Sequence, residues 1–177
     1  RAVAEAMAAQ QATLNVHNRY LHEGIVTYAE RLCALHHDGI ESAVFCCTGT
    51  EANEVALAMA RAVTGRAGIV CSDAAYHGNA GLVAALTEVG SGGQGPDAAI
   101  RGFPYPDCYR PLLPDASDDA LCAAYLERVE EAIAELKRDG HGLAAFIVCS
   151  IFANEGLPRV PAGFLAAATE LVHREGG

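Results

Sequence analysis

The chain is 177 residues long, 51% hydrophobic and 19% charged, with 18 Gly and 7 Pro. A disordered or collagen-like chain is excluded by that composition, and a domain of this length can bury about 70% of its unfolded surface. Against 22 Asp and Glu stand 12 Lys and Arg, a formal net charge of −10; such a surface offers a nucleic-acid backbone nothing to pair with, which excludes a nucleic-acid binder.

The longest clean apolar run, residues 143–149, falls far short of the roughly 20 residues a bilayer span requires. The N-terminus shows no basic segment leading into an apolar one, so neither a signal peptide nor a membrane partner is expected. Cys33, Cys46, Cys47, Cys71, Cys108, Cys122 and Cys149 form an odd set without a Cys-x-x-Cys pair. They predict free thiols in a reducing, cytoplasmic compartment. The chain opens on Arg1 and closes on Gly176-Gly177 directly after a helical pattern. A Gly-Gly there reads as a cap leading into another element, and a piece of a longer protein is expected.

Residues 2–11 are Ala-rich and helical, and 15–22 polar and irregular. Residues 24–36 place Ile25, Tyr28, Leu32 and Leu35 at helical spacing. The short apolar run 42–47 predicts a buried strand. Residues 50–64 predict a helix with Val55, Met59 and Val63 on one face. A second strand follows at 68–72, then a turn and a short helix at 79–86. Residues 90–96 read as a flexible loop, and 102–114 as a connection punctuated by Pro104, Pro106, Pro111 and Pro114. The clearest helix covers 117–137, with Leu121, Tyr125, Val129 and Ile133 in one stripe. A strand at 143–149 and a helix at 164–174 complete the pattern. Continuous apolar strands alternating with helices predict an α/β fold with a mostly parallel sheet.

Cys47-Thr48-Gly49-Thr50-Glu51-Ala52-Asn53-Glu54 sits where a strand gives way to a helix. The N–H groups of Gly49 and Thr50 at the positive end of the helix dipole form a ready anion site. Thr50 reads as the N-cap, with Glu54 near the capping-box position, and simple capping is as good an account of the spacing as phosphate binding. Ala75-Tyr76-His77-Gly78 again follows a strand. Ligands of open α/β sheets lie outside the carboxyl ends of the strands, so both loops are expected at one crevice. Tyr76 could cover a flat heterocycle there or simply pack over its loop. Residues 149–158 make a third loop over the same crevice. His36-His37 ends a helix where the dipole favours a cation, and no metal site is expected. Glu127, Glu130, Glu131 and Glu135 read as a solvated helix face.

Taken together these motifs resemble the class III (ω-amino acid) aminotransferases, pyridoxal-phosphate enzymes of fold type I. Thr48-Gly49-Thr50-Glu51-Ala52-Asn53-Glu54 is similar to the family's Ser-Gly-Thr-Glu-Ala-Asn-Glu signature, and Tyr76-His77-Gly78 to its Tyr-His-Gly loop. Asn18-Arg19-Tyr20-Leu21-His22 with 26–32, and Ser150-Ile151-Phe152 through Pro158 to 162–165, extend the likeness over nearly the whole chain.

The resemblance implies a three-layer sheet with helices on both faces, incomplete here. Residues 1–177 would be part of the cofactor-binding large domain, with an N-terminal segment and a small C-terminal domain outside them. Gly49 and Thr50 would hold the cofactor phosphate, Tyr76 would stack on the pyridine ring, and His77 and Gly78 would shape that loop. Segment 18–22 would lie near the substrate pocket at a dimer interface. The implied cofactor is pyridoxal 5'-phosphate, the substrates an amine or ω-amino acid and a 2-oxo acid, and the assembly a homodimer.

Cys149 stands where relatives carry an acidic residue. The lone lysine, Lys137, lies on the polar face of its helix, so the Schiff-base lysine and the Asp that pairs the pyridine nitrogen are expected beyond Gly177. The other readings are a phospho-lyase or racemase of the same family, or a non-catalytic α/β module that binds a phosphorylated ligand.

Overall fold

The structure, a computed structural model, describes residues 1–17, 19–90 and 95–177. The middle of the loop expected at 90–96, and Asn18 of the 18–22 segment, lie outside the described residues. The chain divides into two compact units, Arg1–Phe45 and Cys46–Gly177. The first holds helices α1 (Ala2–Thr13) and α2 (Glu23–Cys33), neither of which buries a residue. His22 caps α2, its Nδ1 accepting from the Gly24 N–H at 3.0 Å, and the rings of Tyr28 and Phe45 stack at 5.3 Å.

The second unit runs α3 (Gly49–Thr64), β1 (Gly68–Ser72), α4 (Gly81–Thr87), β2 (Ile100–Phe103), α5 (Asp118–Arg138), β3 (Leu143–Ile147) and α6 (Phe164–Arg174). The strands form one parallel sheet in the order β2-β1-β3. Every residue of the central strand β1 is buried, as expected of a parallel strand covered on both faces.

Period-2 alternation sends successive β1 side chains into two different cores. Ile69 and Cys71 meet Leu57 of α3 and Val83 and Leu86 of α4. Val70 meets Phe103, the α5 stripe Leu121, Tyr125, Val129 and Ile133, and Phe164, Ala168 and Leu171 of α6. The result is three layers, helices on both faces of a mostly parallel α/β sheet. Gly68 permits close approach at the base of β1, where a Cβ would stand 1.8 Å from the Gly142 carbonyl oxygen.

Helix α5 forms where its sequence gives every signal. Ser117 accepts from the Ala120 N–H at 3.2 Å, Asp118 and Asp119 occupy the first turn, and Lys137 and Arg138 the last. Its apolar stripe is buried as expected. Arg101 of β2 ties the sheet to the end of this helix. Its buried guanidinium is satisfied by Glu135 at 3.1 Å, Asp139 at 2.5 Å and the carbonyls of Ala98 and Ile100 at 2.8 Å each. A charge so enclosed persists because each of the three guanidinium nitrogens finds an acceptor, two of them carboxylates.

Three local expectations are corrected. Residues 42–47 are irregular and pair with no strand among the described residues; apolar composition suits a strand, but pairing makes one. Strand β2 straddles the start of the connection expected at 102–114, and its four residues, which include Arg101 and Gly102, show no readable alternation. In α3, Val55, Met59 and Val63 are exposed, and the buried residue is Leu57.

Candidate functional site

The first turn of α3 is built by its own polar residues. Thr48 is extended at φ −143°, ψ 160°, and its hydroxyl accepts from the Glu51 N–H at 3.1 Å. Glu51 in turn accepts from the Cys47 N–H at 2.8 Å. Thr48 is thus the N-cap, with Glu51 reaching back past it to the N–H of the preceding residue, so the cap lies two residues before Thr50, where the sequence reading put it. The shift matters chemically. The Gly49 and Thr50 N–H groups make no hydrogen bond among the described residues, and a Cβ at Gly49 would meet nothing within 4 Å. Two donors without partners among the described residues thus stand at the positive end of a 16-residue helix, which suits an anion.

The Tyr76-His77-Gly78 turn lies against this helix end. Asn53 Nδ2 donates to the His77 carbonyl at 2.7 Å, and Thr50 Oγ1 reaches Asn79 Oδ1 at 3.4 Å. Gly78 has φ +150°, and a Cβ there would stand 2.6 Å from Thr50 Oγ1 and 2.9 Å from Val83 Cγ1. Only glycine lets the turn close so tightly on α3. Glu54, expected as a capping partner within α3, instead accepts from the Val83 N–H of α4 at 2.8 Å. Ala80, the N-cap of α4, supplies no side-chain cap, so Glu54 takes that part from the neighbouring helix.

Gly49, Thr50, Tyr76 and His77 are therefore brought to one edge of the sheet. Tyr76 is 51% exposed, and its side chain makes no hydrogen bond among the described residues. Its carbonyl accepts from Asn154 Nδ2 at 3.2 Å. His77 Nε2 is buried without a partner among the described residues. Burial pushes the imidazole below the usual histidine range, opposed by the Glu155 charge, which favours a neutral ring at neutral pH.

At the end of β1 the Ser72 hydroxyl donates to Glu155 Oε1 at 2.5 Å. Asp73 accepts from the Tyr105 N–H at 3.2 Å, and burial raises its carboxyl above the ordinary range. Cys71 is pushed up to about 12 by burial and then by the charges of Asp73 and Glu155; it is an inert core thiol. Cys149, at the position where an acidic residue was expected, accepts from the Ala153 N–H through Sγ at 3.5 Å and so helps fold its loop. Lys137 pairs with Glu175 at the far end of α5. Asn53, Ser72, Asp73, Asn154 and Glu155 were not singled out from the sequence. A polar residue facing a packed helix layer, as Asn53 does, was the available signal.

The profile of the family Aminotransferase class-III matches residues 1–176. Alanine--glyoxylate aminotransferase 2-like from Drosophila melanogaster is 32% identical over 183 aligned residues, which cover 99% of this chain and 36% of that protein. Acetylornithine aminotransferase from Mycobacterium leprae is 34% identical, over 99% of this chain and 38% of its own length. A phospholyase from Arthrobacter, solved in complex with phosphoethanolamine, superimposes with a TM-score of 0.85 at 35% identity, over 99% of this chain and 41% of that one. An (S)-enantioselective omega-transaminase from Thermomicrobium roseum superimposes at 0.82 with 25% identity, over 98% of this chain and 41% of that one. The chain thus spans less than half the length of these relatives. Its fold is that of the fold-type-I transaminases, and the chain belongs to the class III aminotransferase family.

Proposed function

We propose that the protein containing this chain is a pyridoxal-phosphate-dependent aminotransferase that moves an amino group between an amine or ω-amino acid and a 2-oxo acid. On this reading residues 1–177 are part of its cofactor-binding large domain, with a small C-terminal domain and an N-terminal segment outside them. The observation that carries the reading is that the unpartnered Gly49 and Thr50 N–H groups and the half-exposed Tyr76 stand on elements packed directly together through Asn53 and Gly78.

The residues fit the cofactor. Two unengaged donors before an open Gly49 suit its phosphate, Tyr76 offers a free aromatic face, and the unpartnered His77 Nε2 marks a polar need in the same turn. When bound, pyridoxal phosphate supplies the electron sink for the amino-group chemistry. Gly49 and Thr50 bind the phosphate through backbone N–H, and Tyr76 covers the ring. Asn53 holds the His77 carbonyl, and Gly78 keeps the turn on the helix. The Lys137 ammonium is engaged with Glu175, so the covalent lysine is assigned outside these residues. Family membership supports a homodimer with segment 18–22 near the substrate pocket. The free cysteines support a cytoplasmic location.

The test is an absorption spectrum of the full-length protein with pyridoxal phosphate before and after an amine donor is added. A protein-bound visible band that bleaches with the donor is expected. A spectrum identical to free cofactor overturns the reading and leaves a non-catalytic phosphate-binding module.

A second reading, a phospho-lyase acting on a phosphorylated amine, draws on one observation. The Arthrobacter phospholyase is 35% identical to this chain, against 25% for the Thermomicrobium transaminase. Release of phosphate and ammonia from phosphoethanolamine, without consumption of a 2-oxo acid, would establish it over the transaminase.

A further inference from the structure

Between β3 and α6 the chain makes a hydrogen-bonded loop of unusual backbone. Phe152 and Leu157 adopt φ of +48° and +56°, values that bulky residues rarely take. The loop is closed by Phe152 N–H to the Cys149 carbonyl and Leu157 N–H to the Phe152 carbonyl, each at 3.0 Å. Phe152 is fully buried in the core beneath. Such backbone is strained and persists only where its surroundings hold it. Between the two strained positions stand Asn154 and Glu155, which reach across to the Tyr76 carbonyl and to the end of β1 respectively.

Glu155 Oε1 accepts from the buried Ser72 hydroxyl at 2.5 Å, and Asn154 Nδ2 donates to the Tyr76 carbonyl at 3.2 Å. Together with Asn53 on the His77 carbonyl at 2.7 Å, two consecutive carbonyls of the turn are held by asparagine side chains from different elements. Glu155 Oε2 and His77 Nε2 are buried without partners among the described residues. A fold selected for stability alone would not leave two such groups unsatisfied, since a buried polar atom without a partner is costly.

We infer that Asn154 and Glu155 are positioning residues that fasten the β3–α6 loop to the end of β1 and the Tyr76 carbonyl, and so set the attitude of the exposed Tyr76 ring. The ring has no side-chain hydrogen bond of its own, so its backbone must orient it. A turn held at both carbonyls presents one face of the ring. Without Asn154 the Tyr76 carbonyl loses its side-chain donor, while Asn53, Thr87 and Thr50 still hold His77, Gly78 and Asn79, so the segment bearing the ring is the part released. That the ring meets a flat cofactor rests on the proposed function; that the turn is tethered does not.

The experiment uses the full-length protein and the variants Asn154→Ala, Glu155→Ala and Ser72→Ala, with Tyr76→Leu as reference. Without cofactor, amide hydrogen exchange of the peptide covering residues 73–80 is expected to quicken at least threefold in Asn154→Ala and Glu155→Ala. Ser72→Ala combined with Glu155→Ala should add nothing to Glu155→Ala alone, because both break one tether. With pyridoxal phosphate, the visible circular dichroism of the bound cofactor should fall at least twofold in Asn154→Ala, in the direction of Tyr76→Leu. Unchanged exchange at 73–80 overturns the tether, whether or not cofactor binds. Quickened exchange with wild-type dichroism overturns its role in orienting the ring. A wild-type protein that binds no pyridoxal phosphate overturns the ring role through the functional reading, while the exchange result stands separately.

Discussion

Gly78→Ala should strip the full-length protein of its cofactor while leaving most of the fold in place. An alanine Cβ at position 78 meets Thr50 Oγ1 at 2.6 Å, Val83 Cγ1 at 2.9 Å and Thr50 Cα at 3.1 Å, on a backbone with φ +150°. The hydroxyl could rotate away, but the Cα of Thr50 is backbone in the first turn of α3 and cannot yield without moving the helix end. Relief comes by lifting the turn, which pulls Tyr76 and His77 away from Gly49 and Thr50. Strain at one such residue costs about 1–3 kcal/mol and overpacking a similar amount. Taken from cofactor binding, about 3 kcal/mol is more than a hundredfold in affinity. Titration with pyridoxal phosphate, followed by absorbance, measures it. Wild-type affinity in Gly78→Ala would mean that the turn and the helix end do not act as one site.

The second large effect is on stability. Phe103, at the end of β2, is fully buried. Its ring lies 5.5 Å from that of Phe146 and 6.1 Å from that of Phe164. It joins β2, β3 and α6 at the carboxyl edge of the sheet, below the residues that form the site. Phe103→Ala removes a ring whose neighbours are themselves anchored. Tyr125 meets Phe164 edge-on at 6.3 Å, and its hydroxyl both donates to the Asp107 carbonyl and accepts from the Asp107 N–H. So held, the surroundings cannot collapse into the cavity, and the loss should approach the upper part of the usual range of about 3–5 kcal/mol. A urea unfolding midpoint compared with wild type reads it. Phe103→Leu, which refills much of the space, should recover more than half of that loss.

Where single residues and their neighbours agree, sequence reading sufficed. β1 could be read because Ile69, Val70 and Cys71 stand between turn signals, and α5 because cap, stripe and terminal charges all coincide. α3 was harder. Its inward face is Asn53, Leu57 and Arg61, with polar groups that reach the His77 carbonyl and the Ala67 carbonyl, the latter at 3.0 Å. A hydropathy period looks for apolar residues facing inward, and therefore chose Val55, Met59 and Val63, which are exposed.

The same limit governs the site. Gly49, Thr50, Tyr76 and His77 lie in short motifs and could be named in advance. Asn154 and Glu155 act across 78 and 83 positions of sequence, and no local pattern announces a partner so distant. Thr48 shows a subtler case. Thr48 and Thr50 both precede an acidic residue three or four positions on, and only the backbone distinguishes which one caps the helix.

The central claim is that the cofactor phosphate sits on the first turn of α3. Gly49→Pro tests it most directly. Gly49 is the first helical residue, where proline's fixed φ suits the helix and its missing N–H costs no internal hydrogen bond. Thr48 before it is already extended, as a residue preceding proline prefers, and the space around a Cβ at Gly49 is open. The variant therefore removes one donor and leaves the helix intact. The measurement compares the affinities of pyridoxal phosphate and of pyridoxal, which lacks the phosphate, in wild type and Gly49→Pro. A hydrogen bond to a charged group is worth about 1.5–3 kcal/mol. Pyridoxal phosphate should thus bind roughly ten- to a hundredfold more weakly to the variant, with pyridoxal binding unchanged and the unfolding midpoint at or above wild type. An equal loss for both ligands, or no loss for either, would place the phosphate elsewhere and contradict the account.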